Sequence, residues 1–414
     1  MNKIAVIGAG ISGLTIAQKL LQAGLSPVIY EKEREIGGLC RTRTTSGYTF
    51  DLSGGHVFNS QFAEVKQWAF NLLPQEQWHY SRRVAKIFYH DRLVDYPFEL
   101  ALAQLDTDET IDCLVDFISS KTGVEPDNFH DWLIWLFGPS IAEKYLIPYN
   151  SKIWNYDLRK MSTDWVRGKM PIPTIRQLIT SVVKSDASES LMPHSAFYYP
   201  QKGGIRNFVD AIATGLTAIR LNEPLQSLEI IAGRYVVNGS TNYDLVINTA
   251  PLPELSGVIR GIPDEVANAI RDLKYNSIKT VLFSCARDND YSWVYLPDPS
   301  IKPHRIVYQG NFAQVNAPIP DTSSFTVEVI GDYPVDRIVK DVSGKVPFGD
   351  YIDEHYTKYA YVIFDRNRAR NMEVIRRYFA ETGIELLGRF AEWEYYNMDI
   401  CIERAFALFN RLKR

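Results

Sequence analysis

The chain has 414 residues, 46% of them hydrophobic and 23% charged, and its formal net charge is −4. This length allows two or three domains, and the composition is typical of soluble globular proteins. The weakly acidic balance excludes a basic stripe, so nucleic acid is not an expected partner. No run of about 18 apolar residues occurs. Because the first β-type run begins at residue 3, we expect no signal peptide, no membrane span and a cytoplasmic location.

The most informative stretch is the N-terminal one, where an apolar β-type run leads into Gly8-Ala9-Gly10-Ile11-Ser12-Gly13. A segment with helical spacing follows, and then a second β-type run that ends at Glu31. This order of strand, G-x-G-x-x-G, helix, strand and acid is the dinucleotide-binding fingerprint in its required context. Gly8 permits the tight turn, Gly10 lets a pyrophosphate approach the backbone, and Gly13 lets the helix pack on the strand.

The two ends of this unit define the ligand further. The helix N-terminus offers free N–H groups and a positive dipole to phosphate groups. Glu31 is placed to bind a ribose hydroxyl, and its charge would repel a 2′-phosphate, so NADP is excluded here.

Glu31 is followed by five residues and then by Gly37-Gly38, which gives the pattern E-x(5)-G-G. This resembles the FAD-binding family that includes amine oxidases, protoporphyrinogen oxidases and UDP-galactopyranose mutases. The resemblance implies FAD rather than NAD as the cofactor. The residues expected to bind it are Gly8, Gly10, Ile11, Ser12, Gly13, Glu31, Lys32, Gly38, Leu39, Gly55, His56, Gly388, Arg389, Asn397 and Met398.

Four further strings are similar to those of the UDP-galactopyranose mutases, closest to the eukaryotic-type branch. They are Gly54-Gly55-His56-Val57-Phe58, Tyr96-Pro97-Phe98, Pro148-Tyr149-Asn150-Ser151-Lys152-Ile153-Trp154, and the C-terminal Gly388-Arg389 with the aromatic residues that follow. Two positions depart from the family. Glu99 stands where a glutamine touches the base, and Lys169 stands where an arginine reaches the diphosphate. A lysine keeps the charge but cannot form the bidentate fork.

The same resemblance implies roles for individual residues. His56, Arg305 and Lys169 are expected to be catalytic. The residues expected to bind substrate are Tyr96, Phe98, Glu99, Tyr149, Asn150, Trp154, Lys169, Arg305, Tyr333, Tyr361 and Tyr395. The cysteines, Cys40, Cys113, Cys285 and Cys401, lack metal-ligand spacing, so no metal site is predicted and buried reduced thiols are expected.

The predicted fold is α/β, with a Rossmann-like FAD-binding domain, a mostly helical insertion and a second, antiparallel-sheet substrate domain. The FAD-binding domain is expected to be discontinuous. We assign residues 1–80, 196–255 and 385–414 to it, residues 81–99 to a hairpin of the substrate domain, 100–195 to the helical domain and 256–384 to the sheet domain.

The resemblance implies an isomerase of cell-surface polysaccharide biosynthesis that interconverts pyranose and furanose forms of a nucleotide-diphosphate sugar. In that family, N5 of the reduced flavin attacks the anomeric carbon, which is covalent catalysis. The expected partners are the nucleotide sugar and an external reductant, NAD(P)H or a reductase, and the expected assembly includes a homodimer. The alternative is an oxidoreductase like amine oxidase or protoporphyrinogen oxidase. A non-catalytic nucleotide-sugar binder is a third interpretation.

Overall fold

The computed structural model describes residues 3–166, 170, 172–185, 195–239 and 241–413. Its strands are β1 (Ile4–Ile7), β2 (Pro27–Tyr30), β3 (Thr42–Thr45), β4 (Tyr48–Asp51), β5 (Trp78–Arg82), β6 (Ala85–Tyr89), β7 (Arg92–Asp95), β8 (Ala196–Pro200), β9 (Ile219–Arg220), β10 (Leu228–Ile231), β11 (Arg234–Val237), β12 (Thr241–Tyr243), β13 (Leu245–Asn248), β14 (Tyr275–Ala286), β15 (Trp293–Tyr295), β16 (Arg305–Val307), β17 (Thr322–Ile330), β18 (Tyr351–Val362) and β19 (Glu385–Leu386). Its helices are α1 (Ile11–Gln22), α2 (Ala63–Leu72), α3 (Thr107–Ile118), α4 (Phe129–Ile141), α5 (Ile147–Trp154), α6 (Ile175–Lys184), α7 (Arg206–Ala213), α8 (Asp264–Asp272), α9 (Val335–Val342), α10 (Arg368–Thr382) and α11 (Met398–Leu412).

A parallel sheet contains the glycine-rich turn. Its five strands lie in the order β19-β13-β1-β2-β9, and each pair is parallel. The strands come from three separate stretches of the chain. All four residues of β1 are buried, because the sheet is covered on both faces, and this is why the strand is apolar throughout.

Different elements cover the two faces of this sheet. α1, α7 and α11 share one apolar cluster with Ile4 and Val6. The antiparallel sheet β10-β11-β12, together with α8 and α10, shares another with Ala5 and Ile7. α8 and α10 lie within the range 256–384 that was assigned to the sheet domain. Their buried faces nevertheless pack against the parallel sheet.

A second, larger sheet has the strand order β18-β14-β17-β16-β15-β6-β7. Its strand pairs are antiparallel except for β15 and β6, which are parallel. Ile338 and Val342 of α9 pack on one face of it, against Val327 and Val329 of β17. Because successive side chains of a strand point to opposite faces, Thr326 and Glu328 point away from α9. The larger sheet therefore presents polar side chains toward the rest of the molecule.

The segment between these sheets is mostly helical, as the sequence predicted. α4 is interrupted at Gly138, whose φ is +78°. A Cβ at Gly138 would lie 2.7 Å from the backbone of Asp116, so this close approach requires glycine. Residues 142–146 then form a π-helical turn that leads directly into α5. The break sets the direction of α5, which carries the predicted Asn150 and Trp154.

The mixed α/β architecture confirms the predicted fold class. Ser53 and Thr357, whose hydroxyl oxygens are 2.9 Å apart, join the loop after β4 to the larger sheet. The carboxyl ends of the parallel strands and the polar face of the larger sheet thus face a common region, which is where open α/β folds place their ligands. Within the described stretches, no helix is long and apolar enough to cross a bilayer.

Candidate active site

The glycine-rich turn joins β1 to α1 with very little space. Gly8 has a φ of +100°, and a Cβ there would lie 2.7 Å from Thr249 Oγ1. A Cβ at Gly13 would lie 2.0 Å from the carbonyl oxygen of Gly8. Both glycines are therefore required by the polypeptide itself, since any side chain would push the helix away from the strand.

Gly10 is different, because no atom of the described residues requires glycine at this position. Its backbone is extended, with φ −78° and ψ −178°, and a Cβ would meet only Gly38 Cα, at 3.8 Å. Gly10 precedes α1 without a capping side chain, so the first N–H groups of the helix remain available. A bridge pairs Gly10 with Gly37. The backbone of Gly10 and Gly38 thus forms an open, glycine-lined surface at a positive helix end.

Glu31 follows β2 and lies beside this surface. It is buried, and its carboxylate accepts hydrogen bonds from the backbone amides of Ala9, at 2.7 Å, and Glu33, at 2.9 Å. Burial raises the pKa of Glu31, although the two amide bonds oppose that shift. Lys32 points outward and pairs with Glu254 at 2.5 Å. Leu39 packs, partly buried, beside the cluster that contains Ile7.

The C-terminal stretch closes the same site from the other side. Gly388 has a φ of +94°, and a Cβ there would lie 2.2 Å from Ser12 Oγ. Arg389 donates from Nη2 to the carbonyl of Ala360 at 2.7 Å and from Nη1 to that of Tyr396 at 3.2 Å. Asn397 precedes α11, which begins at Met398 and packs against α1. The N-termini of α1 and α11 therefore flank one region.

The loop after β4 brings His56 into this region. A Cβ at Gly55 would lie 2.4 Å from Val307 Cγ1, so the loop rests directly on the larger sheet. His56 Nδ1 lies 2.8 Å from the carbonyl oxygen of Gly54 and, when protonated, donates to it. Burial lowers the pKa of His56 to about 4, and the positive charges of Arg389 and Arg305 act in the same direction. His56 is therefore neutral at physiological pH.

On the larger sheet, Arg305 lies in a row of side chains set by strand register. Tyr295, Arg305, Glu328 and Thr280 occupy directly opposed positions on β15, β16, β17 and β14. Arg305 Nη2 lies 2.7 Å from Glu328 Oε2. Burial opposes the charge of Arg305, but the Glu328 carboxylate holds the pKa of the guanidinium well above its ordinary value. The arginine is thus a permanent, ion-paired cation.

Aromatic side chains gather around Arg305. Tyr295 is directly opposed to Arg305 in the strand register, and Tyr149 and Tyr361 lie close enough to influence the pKa of the guanidinium. The Tyr149 and Tyr295 rings meet edge to face at 5.2 Å. The Tyr361 and Tyr395 rings are nearly parallel, 18° apart in orientation and 6.1 Å between centroids. The structure therefore groups three predicted tyrosines, Tyr149, Tyr361 and Tyr395, with the unpredicted Tyr295 near Arg305.

Asn150 and Trp154 contact each other within α5. Trp154 Nε1 donates to Asn150 Oδ1 at 3.2 Å, and Asn150 Nδ2 donates to the Leu146 carbonyl at 2.7 Å. Trp154 also packs edge-on against Tyr361 and Tyr395. Asn150 thus fixes the indole that supports the two tyrosines.

The Tyr96-Pro97-Phe98 string divides between the site and the core. Tyr96 packs against Tyr295 at 4.8 Å, next to the Arg305 row. Phe98 is fully buried and stacks on Tyr145 at 5.1 Å, so it contributes to the core, and its contact with a nucleotide stays a prediction. Glu99 is also buried, and this burial raises its pKa to about 7.

One predicted residue is not brought to the site, and another lies outside the described residues. Tyr333 packs, partly buried, with Val329 and Ile338 on the face of the larger sheet opposite Arg305. Val329 and Glu328 are consecutive residues, so their side chains point to opposite faces of the sheet. Tyr333 lies on the face of Val329, whereas Arg305 lies on the face of Glu328. Lys169 lies outside the described residues.

The profile of the flavin-containing amine oxidoreductase family matches residues 11–295 of the chain. The chain belongs to this family. A UDP-galactopyranose mutase of Mycoplasma pneumoniae is 24% identical, over 97% of this chain and 94% of the mutase. An inactive all-trans-retinol 13,14-reductase of Danio rerio is 32% identical, but over only 19% of this chain and 13% of the reductase.

Solved structures extend the likeness of this flavin-containing amine oxidoreductase to its whole length. Reduced UDP-galactopyranose mutase superposes with a TM-score of 0.90 at 23% identity, covering 100% of this chain and 95% of the other. A putative protoporphyrinogen oxidase from Exiguobacterium sp. 255-15 superposes with a TM-score of 0.78 at 16% identity, covering 99% and 98%. At such identities the superpositions establish the fold. The predicted resemblance to the mutases, within the wider flavin family, is confirmed.

Sequence reasoning missed several residues of the site. Glu328 was not singled out, although a charged residue between the valines of a fully buried stretch of β17 is a usable signal. Tyr295 was read only as part of a strand. Lys152 donates to the carbonyls of Leu296 at 2.6 Å and Asp298 at 2.8 Å, which anchors α5 to the loop after β15. In the described stretches, no group of three or more His, Cys, Asp or Glu side chains could hold a metal ion.

Proposed function

We propose that FAD binds along the glycine-lined surface between β1, α1 and the Gly388 turn. What supports this is Gly10, where the described part of the chain has no steric need for glycine and a pyrophosphate would need close approach to the backbone. Glu31 lies where it can reach the ribose. The other residues proposed to line the cofactor are Gly8, Ile11, Ser12, Gly13, Lys32, Gly38, Leu39, Gly55, His56, Gly388, Arg389, Asn397 and Met398.

We further propose that the protein interconverts pyranose and furanose forms of a nucleotide-diphosphate sugar. The observation that carries this proposal is the grouping of Arg305 with Tyr295, which opposes it in register, and with Tyr149, which packs on Tyr295, on the sheet against which the His56 loop rests. Guanidinium and phenol groups are suited to a diphosphate, because both donate hydrogen bonds to phosphate oxygens. The end-to-end likeness to the mutases supports the same substrate class.

The side chains can then be given tasks. When reduced FAD is bound, its N5 supplies a nucleophile for the anomeric carbon. Arg305, Tyr149 and Tyr361 would donate to the diphosphate, whose negative charge grows as its bond to that carbon breaks. His56, neutral and held through Nδ1 by the Gly54 carbonyl, would present Nε2 as an acceptor. Lys169 is proposed as a second, point-charge contact to the diphosphate.

The position of Arg389 disfavours the alternative, a redox enzyme that oxidises an amine. Two nearly parallel tyrosines can bind a substrate cation between them. Here the Arg389 guanidinium lies 4.6 Å from the Tyr395 centroid and 5.4 Å from that of Tyr361. This fixed positive charge would repel an alkylammonium group. The same charge favours an anionic ligand.

The test is turnover by the FAD-loaded protein after reduction with dithionite. UDP-galactopyranose, and in parallel dTDP- and GDP-sugars, should be converted to an isomer of unchanged mass that separates on anion-exchange chromatography. The oxidised protein should produce none. Failure to form an isomer from any of these sugars, together with oxygen consumption in the presence of an amine, would establish the redox alternative. An external reductant, NAD(P)H or a reductase, is proposed to keep the cofactor reduced in the cell.

Tyr361 and Tyr359 provide a matched pair of variants. Tyr361 belongs to the Arg305 group, whereas Tyr359 packs against Tyr275 and Phe390 in a separate apolar cluster. Tyr361→Phe should lower turnover by at least tenfold, because a donor to a charged oxygen is lost. Tyr359→Phe, which removes the same hydroxyl elsewhere, should retain wild-type turnover.

A further inference from the structure

The guanidinium of Arg305 is bound along one of its edges before any ligand arrives. Nε lies 2.8 Å and Nη2 lies 2.7 Å from Glu328 Oε2. The two residues are directly opposed in the register of β16 and β17, so the pairing is built into the sheet. Among the described residues, no hydrogen bond engages Nη1. That nitrogen is the part of Arg305 left for a ligand.

The burial of the Glu328 carboxylate costs free energy of folding. Its side chain is fully buried, and within the described part of the chain its Oε1 has no hydrogen-bond partner. A Cβ at Gly54 would lie 2.4 Å from this oxygen, so the carboxylate lies directly behind the His56 loop. Unsatisfied buried carboxylate oxygens are rare in proteins, and a buried ion pair is weak grounds for stability. The position of Glu328 therefore points to a role other than stability.

The residue beside the pair is equally unusual. His304 is fully buried, and its Nε2 lies 3.4 Å from Glu328 Oε2. Neither ring nitrogen of His304 makes a hydrogen bond to the described residues. Arg305 therefore provides most of the positive charge that compensates the carboxylate of Glu328. Conversely, the positive charge of Arg305 is offset by a carboxylate that touches it.

We propose that Glu328 is a specificity-determining residue that weakens the hold of Arg305 on a diphosphate and restricts that contact to Nη1. The inference rests on the proposed function, since it concerns the same anion. The negative charge of Glu328, on the far side of the guanidinium, would repel a diphosphate bound at Nη1. The affinity for the leaving group would then be low enough for it to return to the sugar. If the salt bridge were purely structural, the charge of Glu328 would not change the affinity for a diphosphate.

The test is the affinity of the FAD-loaded full-length protein for inorganic diphosphate and for UDP, measured by calorimetry. Glu328→Gln keeps the shape and an acceptor for Arg305 but removes the charge. With the guanidinium between them, the two charges would lie about 6 Å apart, and at an effective dielectric constant of about 40 their repulsion changes an affinity by about tenfold. We therefore expect both ligands to bind about tenfold more tightly to the variant, with a steeper salt dependence.

Glu354→Gln is the matched control. Glu354 opposes Val281 on β18, so it lies on the other face of the same sheet, 3.4 Å from Lys279. The Glu354→Gln substitution removes an identical charge and should leave the affinities for both ligands unchanged. If Glu328→Gln loses its flavin, Glu328→Thr repeats the test, because threonine suits a strand and already occupies positions 280 and 326 beside it.

The outcomes separate this inference from the proposed function. If the wild type binds UDP and the neutral variants bind it equally or less tightly, the inference is wrong and the proposed function stands. If the wild type binds neither ligand but the neutral variants gain diphosphate binding, Glu328 acts as inferred and the nucleotide-sugar proposal fails. If no form of the protein binds either ligand, both are overturned.

Discussion

Replacing Gly10 by alanine tests the cofactor proposal without disturbing the polypeptide. The φ of −78° and ψ of −178° are accessible to alanine, and the new Cβ would approach nothing closer than Gly38 Cα at 3.8 Å. Alanine restricts the unfolded chain, which stabilises by about 0.4–1 kcal/mol. It is also a poorer residue than glycine before a helix, with an opposing effect of similar size. The apoprotein should therefore change in stability by less than about 1 kcal/mol.

FAD binding should respond very differently. A methyl group would stand between the α1 N-terminus and Gly38, where the pyrophosphate is proposed to lie. Forcing an extra methyl into a close contact typically costs about 1–3 kcal/mol, which corresponds to about 5- to 150-fold weaker binding. Gly10→Ala should thus lose affinity for FAD while keeping the melting temperature of the wild-type apoprotein.

Gly13→Ala serves as the contrasting variant. Its Cβ would lie 2.0 Å from the Gly8 carbonyl oxygen and 3.0 Å from Thr249 Oγ1. Since backbone cannot yield as a side chain can, this change should lower the melting temperature of the apoprotein itself by several degrees. Differential scanning calorimetry of the two apoproteins and fluorescence titration with FAD would measure both effects. Wild-type FAD affinity in Gly10→Ala would refute the placement of the pyrophosphate.

Three further predictions concern the site and the cofactor. Arg305→Ala should leave Glu328 buried without its cation and lower the unfolding free energy by about 3–5 kcal/mol. Arg305→Lys should fold and lose turnover more than tenfold. Equal melting temperatures for the two variants would contradict this expectation. Burial raises the pKa of Glu99 to about 7, so the folded protein binds a proton there more tightly than the unfolded chain does. As the pH rises from about 5 to about 8, the free energy of unfolding of the wild type in urea should therefore fall by up to about 3 kcal/mol relative to that of Glu99→Gln. A difference in stability that does not depend on pH would count against a buried carboxyl. The variant should also use UDP-sugars better than other nucleotide sugars. Finally, the purified protein should be yellow and should release its flavin when denatured, and a colourless protein that cannot be reconstituted would rule out noncovalent FAD.

Local features were readable from the sequence because they depend on few neighbouring residues. The strand, glycine turn and helix at residues 4–22 follow from hydrophobic periodicity and from positions that only glycine can occupy. The alternating runs that became β14 to β17 were predicted for the same reason. The meander at β10 to β12 was equally visible.

Tertiary structure alone decided which side chains share a face. Tyr333 was expected beside Arg305 but packs on the opposite side of the sheet. Phe98 was expected to line a nucleotide pocket, and its side chain is fully buried. The pairing of Arg305 with Glu328 joins residues on different strands through their register. Register between distant strands is set by the packing of the whole sheet, and a shift of one residue exchanges its two faces. A single sequence contains the strands, but the fold determines that alignment.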